Sequence, residues 1–261
     1  MTFFKTRMIG WATLTGLLLA NLVALPPTWA DSAAVSSAAP VTATATPAVH
    51  ANSQTAKSAT PWYAQQTVKW KVCSDNVMML CGSIEVPLNW AKPNGERIKL
   101  ALSLLPAAKQ PAQSGALVVN PGGPGASGIE LAAIMPFIAT NRLLKAYDVV
   151  GFDPRGVGKS TPLRCVKTTA QQDQLFDVGT STTQAGRKAA IKAYKNLIAR
   201  CKKLSGNILR YMDSMSAARD MDVIRASLKQ PKLNYLGFSY GTKLGAYYAE
   251  LFPKQVGRMV L

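Results

Sequence analysis

Apolar positions along this chain follow two rhythms, and the change from one to the other marks out its elements. Gly82-Ser-Ile-Glu-Val-Pro-Leu88 reads as a strand ending at a proline, and Pro93-Asn-Gly95 marks a turn. Arg97-Ile-Lys-Leu-Ala-Leu-Ser-Leu104 then alternates in part between polar and apolar, as a half-buried strand does. Gly115-Ala-Leu-Val-Val-Asn120 and the core of Ala146-Tyr-Asp-Val-Val-Gly-Phe-Asp153 are instead continuous apolar runs, the pattern of strands covered on both faces. Further on the period lengthens. Ala190, Ile191, Tyr194, Leu197, Ile198, Cys201 and Leu204 recur at helical spacing and predict an amphipathic helix with a strongly basic back. Met221, Ile224 and Leu228 predict a second helix beginning near Ser216. Leu233 to Gly237 is a short apolar strand, and Leu244, Tyr247, Leu251 and Phe252 predict a helix that Pro253 ends. Val256 to Leu261 starts another strand. Strands alternating with helices specify an α/β architecture with a mostly parallel sheet and flanking helices.

The first sixty residues carry a different pattern. Lys5 and Arg7 precede a mostly apolar stretch from Met8 to Val23, and Pro26-Pro-Thr-Trp-Ala30 resembles a cleavage site, so residues 1–30 read as a signal peptide cut after Ala30. Thr13, Thr15, Gly16 and Asn21 interrupt the apolar stretch, which counts against a spanning anchor. Residues 31–60 are Ala, Ser, Thr and Pro-rich with no aromatic, a leader too poor in apolar surface to offset its ordering entropy. This leader contains His50, the only histidine of the chain, read as a solvated bystander. Residues 61–261 form the folded part, long enough for one sizeable core. Formal charge is +17, and loss of Lys5 and Arg7 leaves +15. The basic residues are scattered over helix faces without interleaved aromatics, so a nucleic-acid groove is excluded, and loose contact with an anionic cell envelope is the expected consequence. Secretion or residence in the cell envelope follows from the signal segment, which is also the only membrane-directed stretch expected.

Four cysteines in an exported chain favour disulfides, and four permit three connectivities. The nearest-neighbour pairing, Cys73–Cys81 with Cys165–Cys201, is preferred over its alternatives and over four buried thiols. No spacing suits zinc. Gly158-Lys159-Ser160 is not a phosphate loop, because Asp153 stands where the first glycine belongs and Pro162 blocks the following helix. Thr161 likewise breaks a Gly-x-Gly-x-x-Gly. No cofactor or metal is implied.

The chemistry lies in Gly237-Phe-Ser-Tyr-Gly241. A Gly-x-Ser-x-Gly between a strand and a helix is a nucleophile elbow, in which the sharp turn lifts the Ser239 hydroxyl above the sheet edge. The bland alternative is a glycine-rich turn with Ser239 capping the helix. Pro121-Gly-Gly-Pro-Gly-Ala-Ser-Gly128 follows a buried strand and presents unshielded backbone amides, donors suited to a developing negative charge. Hydrolases of this architecture pair such a donor with the N–H after the serine, here Tyr240. Asp153 and Arg155 are expected to brace the loop beneath the site.

These motifs permit a closer match. Pro121-Gly-Gly-Pro-Gly-x-Ser-Gly128, Asp148-Val-Val-Gly-Phe-Asp-Pro-Arg-Gly-Val-Gly-Lys-Ser160 and Asn234-Tyr-x-Gly-x-Ser-Tyr-Gly-Thr242 together resemble the secreted tripeptidyl aminopeptidases, relatives of the prolyl aminopeptidases among the α/β-hydrolases. Trp70, Cys73 and Cys81 ahead of Val86-Pro-Leu-Asn-Trp90 resemble that family too. The resemblance implies an α/β-hydrolase fold and a serine exopeptidase that releases short peptides from a free amino terminus. Ser239 would be the nucleophile, with the amides of Tyr240 and of Gly122 or Gly123 holding the oxyanion. The fold's triad order is serine, acid, histidine. Asp148, Asp153, Asp220 and Asp222 all precede Ser239, and His50 lies in the leader, so neither acid nor base is expected in this chain. It reads as roughly the first half of such an enzyme. A catalytically inactive exported remnant that binds peptide or cell envelope is the alternative, and an esterase or lipase on the same fold is the alternative enzyme.

Overall fold

The computed structural model describes residues 60–168, 171 and 182–261. The expected signal peptide, nearly all of the leader, and His50 lie outside the described residues. One seven-stranded mixed sheet organises the rest, in the order β1-β2-β3-β5-β4-β6-β7. β1 (Lys71–Val72), β2 (Leu80–Pro87) and β3 (Arg97–Leu105) form an antiparallel meander, and β3 runs antiparallel to β5 (Asp148–Phe152). From β5 through β4 (Ala116–Asn120), β6 (Leu233–Gly237) and β7 (Val256–Val260) every pairing is parallel. The functional motifs all sit at the carboxyl ends of this parallel part.

The apolar run of β4 is buried along its whole length because helices cover both of its faces. Its residues alternate between two cores. Ala116 and Val118 join Val150, Phe152, Leu100 and Leu102 beneath α4 (Ser214–Ser227) and α5 (Tyr240–Leu251). Leu117 and Val119 join Val149 on the other face, against Leu131, Ala132 and Met135 of α1 (Gly128–Ile138). Phe252 ends α5, with Pro253 opening a short 3-10 turn.

Two helices that the periodicity did not show lie after the glycine loop: α1 and the short α2 (Asn141–Ala146). Their start signals are in the sequence. Ser127 caps α1 by accepting the Glu130 N–H at 3.2 Å, and Thr140 caps α2 by accepting the Leu143 N–H. Pro136 inside α1 and the glycines before it obscure the helical pattern. The apolar stripe of α3 (Gln184–Ser205) also departs from expectation. Ile191, Tyr194 and Ile198 are each about half exposed, and Cys201 is the one buried residue described on this helix. α3 is tied down at its end instead, by the Cys165–Cys201 disulfide and by Ser205, whose hydroxyl bonds both the N–H and the carbonyl of Arg164. The other disulfide joins Cys73 to Cys81 at the start of the meander.

Candidate active site

β6 stops at Gly237 and α5 starts at Tyr240, so the chain turns within Phe238 and Ser239. Ser239 takes φ 52° and ψ −122°, a conformation that an L side chain holds only under constraint, at a cost of about 1–3 kcal/mol. Its neighbours supply that constraint. The Phe238 N–H donates to the Asn120 carbonyl at 3.0 Å, and the Gly241 N–H donates to the Phe238 carbonyl at 2.7 Å. From below, the buried Tyr235 hydroxyl donates to the Gly241 carbonyl at 2.8 Å. Burial raises the pKa of that hydroxyl, keeping it a donor. Gly241 is required for the approach: a Cβ there would lie 2.7 Å from the Asn120 carbonyl oxygen.

Ser239 is exposed, and its side chain accepts no N–H from the first turn of α5. It therefore does not cap the helix. The strained turn serves to present the hydroxyl to solvent, which a cap would not need.

The parallel pairing of β4 with β6 sets Asn120 opposite Gly237, which carries the glycine loop up to the elbow. Gly122 has φ +94°, and a Cβ on it would lie 2.5 Å from the Phe238 carbonyl oxygen and 2.7 Å from the Tyr240 nitrogen. Loop and elbow thus touch through bare backbone. The buried Gly122 N–H is already committed, donating to Asn120 Oδ1 at 2.9 Å. Gly123 is exposed, and neither its N–H nor that of Tyr240 has an acceptor among the described residues. Of the three amides expected as oxyanion donors, those of Gly123 and Tyr240 are the two without an acceptor among the described residues.

Two buried charges hold this arrangement from beneath. Asp153 accepts from the Ser127 hydroxyl at the end of the glycine loop and from the Lys159 N–H at 2.7 Å. Arg155 makes a bidentate pair with Asp220, Nε to Oδ2 at 2.7 Å and Nη2 to Oδ1 at 2.6 Å. Its remaining donors reach the carbonyls of Leu88, Tyr211 and Pro87. Trp90 Nε1 adds a bond to Asp220 at 3.1 Å. Arg155 accordingly ties the loop after β5 to the meander and to α4.

A cavity of about 410 Å³ opens beside the elbow, walled among others by Asn120, Gly122, Gly125, Arg155, Asp213 and Tyr240. The Tyr240 hydroxyl is hydrogen-bonded to Ser214, and Asp213 caps α4 by accepting from the Ser216 N–H and hydroxyl, both at 2.8 Å. Asn120 was not singled out from the sequence, yet it is central here. It is 2% exposed, and its Nδ2 has no hydrogen-bond partner. Leaving such a donor unpaired costs about 1–3 kcal/mol.

No histidine lies among the described residues, and the four aspartates Asp148, Asp153, Asp220 and Asp222 that precede Ser239 all have structural partners. Asp148 accepts from Ala107 and Gln110, and Asp222 pairs with Arg225 and Tyr248. Among the described residues, Cys73, Asp75 and Cys81 cluster like metal ligands, but both sulfurs are in the disulfide and supply no thiolate. The turn thus presents an exposed serine next to the unengaged Tyr240 N–H, and a serine hydroxyl is a weak nucleophile without an adjacent base.

Residues 115–261 match the alpha/beta hydrolase fold family, a span that contains the glycine loop, the braced loop and the elbow. The chain belongs to that family. Within it, the chain is 40% identical over 209 residues to the tripeptidyl aminopeptidase of Streptomyces lividans, a match covering 76% of this chain and 38% of that protein. It is 38% identical over 205 residues to the serine protease Hip1 of Mycobacterium tuberculosis, covering 75% of this chain and 39% of the relative. It is also 44% identical over 149 residues to carboxylesterase B of the same species, covering 56% and 28%. The chain therefore spans well under half the length of these relatives.

Proposed function

We propose that this chain carries the nucleophile and oxyanion half of an exported serine aminopeptidase that releases short peptides from free amino termini. One observation carries the reading. The exposed, strained Ser239 directly precedes the Tyr240 N–H, the glycine loop packs Gly122 against the Tyr240 nitrogen, and the N–H groups of Tyr240 and Gly123 have no acceptor among the described residues, which supports their use as oxyanion donors. Ser239 would attack the scissile carbonyl and the two amides would bind the oxygen that becomes negative. The base that takes the serine proton, and the acid that orients it, come from outside residues 60–261. The similarity to a tripeptidyl aminopeptidase supports a peptide substrate with a free amino terminus. Export rests on the Lys5 and Arg7 segment with its apolar core, and is supported by the two disulfides. The basic excess supports loose contact with an anionic envelope.

Labelling of the 261-residue chain with a fluorophosphonate, beside Ser239→Ala, tests the nucleophile, and calorimetric titration with tri-alanine tests the substrate class. Saturable tri-alanine binding supports the peptidase, and Ser239-dependent labelling identifies its nucleophile. A folded chain that binds no tri-alanine refutes the peptidase reading. The likeness to a carboxylesterase favours one second reading. Ser239-dependent labelling with turnover of a p-nitrophenyl ester and no tripeptide binding assigns the chain to the esterases.

A further inference from the structure

A second cavity, of about 410 Å³, lies at the opposite end of the sheet from the elbow, where β4, β6 and β7 begin. Ser114, Gln230, Lys232, Asn234, Gly257 and Arg258 are among its walls. Its two charged wall residues, Lys232 and Arg258, are both cations and both exposed. No carboxylate lines the cavity, and neither cation has an ion pair among the described residues. Arg258 makes one long side-chain bond, Nη1 to the Tyr147 hydroxyl at 3.4 Å, which leaves most of its fork of donors open. A bulge sets the place of this arginine. β7 pairs Val256 with Leu233 and Met259 with Tyr235, so Gly257 and Arg258 together face the one residue Asn234. The buried Asn234 fills the irregularity with its side chain. Its Oδ1 accepts the Arg258 N–H at 3.0 Å, and its Nδ2 donates to the Ser114 and Ala116 carbonyls at 3.2 and 3.1 Å. Glycine is required beside it, since a Cβ at Gly257 would lie 2.8 Å from Asn234 Oδ1 and 2.8 Å from the Leu233 carbonyl oxygen. Asn234 thus fixes the backbone from which the Arg258 side chain leaves, two residues after Lys232.

We propose that this cavity binds a doubly charged phosphate group, inorganic phosphate or a phosphate monoester, between Lys232 and Arg258. Two unpaired cations match a phosphate dianion in charge, whereas a single carboxylate would leave one of them unmatched. The guanidinium fork suits two phosphate oxygens, and the ammonium acts on a third as a point charge. The cavity stands at the other end of the sheet from Ser239, so the proposal does not rest on the peptidase reading.

The test is calorimetric titration of the 261-residue chain with inorganic phosphate at pH 7.5 and low salt. Lys232→Gln and Arg258→Gln are compared with Lys192→Gln, which removes an exposed lysine of α3. All three variants lose one positive charge, so they differ in place alone. Saturable one-to-one binding is expected in wild type, weakened about threefold or more by each of the first two and unchanged in Lys192→Gln. Gly257→Ala keeps the net charge but displaces the bulge, and it too should weaken binding about threefold or more. Thermal melts establish that each variant is folded, and should Gly257→Ala fail to fold, the comparison of Arg258→Gln with Lys192→Gln decides. A wild-type chain that binds no phosphate overturns the proposal. So does an equal loss in Lys192→Gln and Arg258→Gln, which is what diffuse attraction of a basic protein for anions would give. Sedimentation with phosphatidylcholine vesicles containing phosphatidic acid, whose headgroup is a phosphate monoester, separates the sources. Sedimentation that Arg258→Gln abolishes supports the site with a lipid-borne phosphate, and phosphate binding without sedimentation supports it with a soluble one.

Discussion

Replacing Arg155 by methionine removes one charge from beneath the site and leaves most of the side-chain volume. The side chains of Arg155 and Asp220 are each 2% exposed, so the pair has almost no water to fall back on. The substitution strands the Asp220 carboxylate with Trp90 as its remaining named donor, and leaves the carbonyls of Pro87, Leu88 and Tyr211 without the guanidinium. Breaking a buried pair from one side costs about 3–5 kcal/mol. The cost depends on pH in a definite direction. Burial pushes the Asp220 carboxyl from 3.8 up to about 6, against the pull of Arg155. A raised pKa means that the folded state favours the protonated form. Stability tied to this group is therefore fully present below about pH 4 and is lost as pH rises through about 6, an amount on the order of 3 kcal/mol. Methionine removes the attraction that holds the pKa down, so the loss continues to higher pH and the variant suffers more at pH 8 than at pH 5. Urea unfolding at both pH values measures this, with the slope required to stay constant. Arg155→Met combined with Asp220→Leu should recover much of the loss, since no charge is then stranded. A loss below about 1 kcal/mol at pH 8, or an equal loss at both pH values, refutes the account.

Two other perturbations follow from the same geometry. Gly122→Ala forces a Cβ against the Phe238 carbonyl and the Tyr240 nitrogen at a positive φ, so it should cost about 1–3 kcal/mol and abolish any fluorophosphonate labelling, read by thermal melt and probe gel. Unchanged labelling would separate the loop from the oxyanion site. The Cys165–Cys201 bond closes 36 residues and Cys73–Cys81 closes 8, so paired serine substitutions should cost about 4 and about 2.5 kcal/mol respectively on chain entropy. Chemical unfolding under oxidising conditions measures both, and a larger loss at the shorter loop would overturn the entropic ordering.

What the sequence by itself determined is whatever obeys a local rule. Strand runs such as Ala116 to Asn120 announce burial on both faces because each residue must find an apolar neighbour. Gly237-x-Ser239-x-Gly241 between a strand and a helix announces an elbow because only that backbone tolerates the turn. Local signals failed where two of them competed. α1 begins at Ser127 with Glu130 three residues on, a legible capping pattern, but Pro136 and the loop glycines masked its period. On α3 the period was legible and its use was not. Ile191, Tyr194 and Ile198 share a stripe, yet half of their surface remains open, because periodicity fixes a face and not what covers it.

The tertiary structure alone decided the site. Asn120 and Gly237 are far apart in the chain and become neighbours through the register of β4 on β6. That register puts Gly122 against the Tyr240 nitrogen, closes the Gly122 amide onto Asn120, and leaves Gly123 as the loop's uncommitted donor. Arg155 was expected as a brace, but its partner Asp220, 65 residues on, was visible only once α4 packed beside the meander. These are pairings between distant segments, set by packing two cores on one sheet, and no spacing along the chain encodes them.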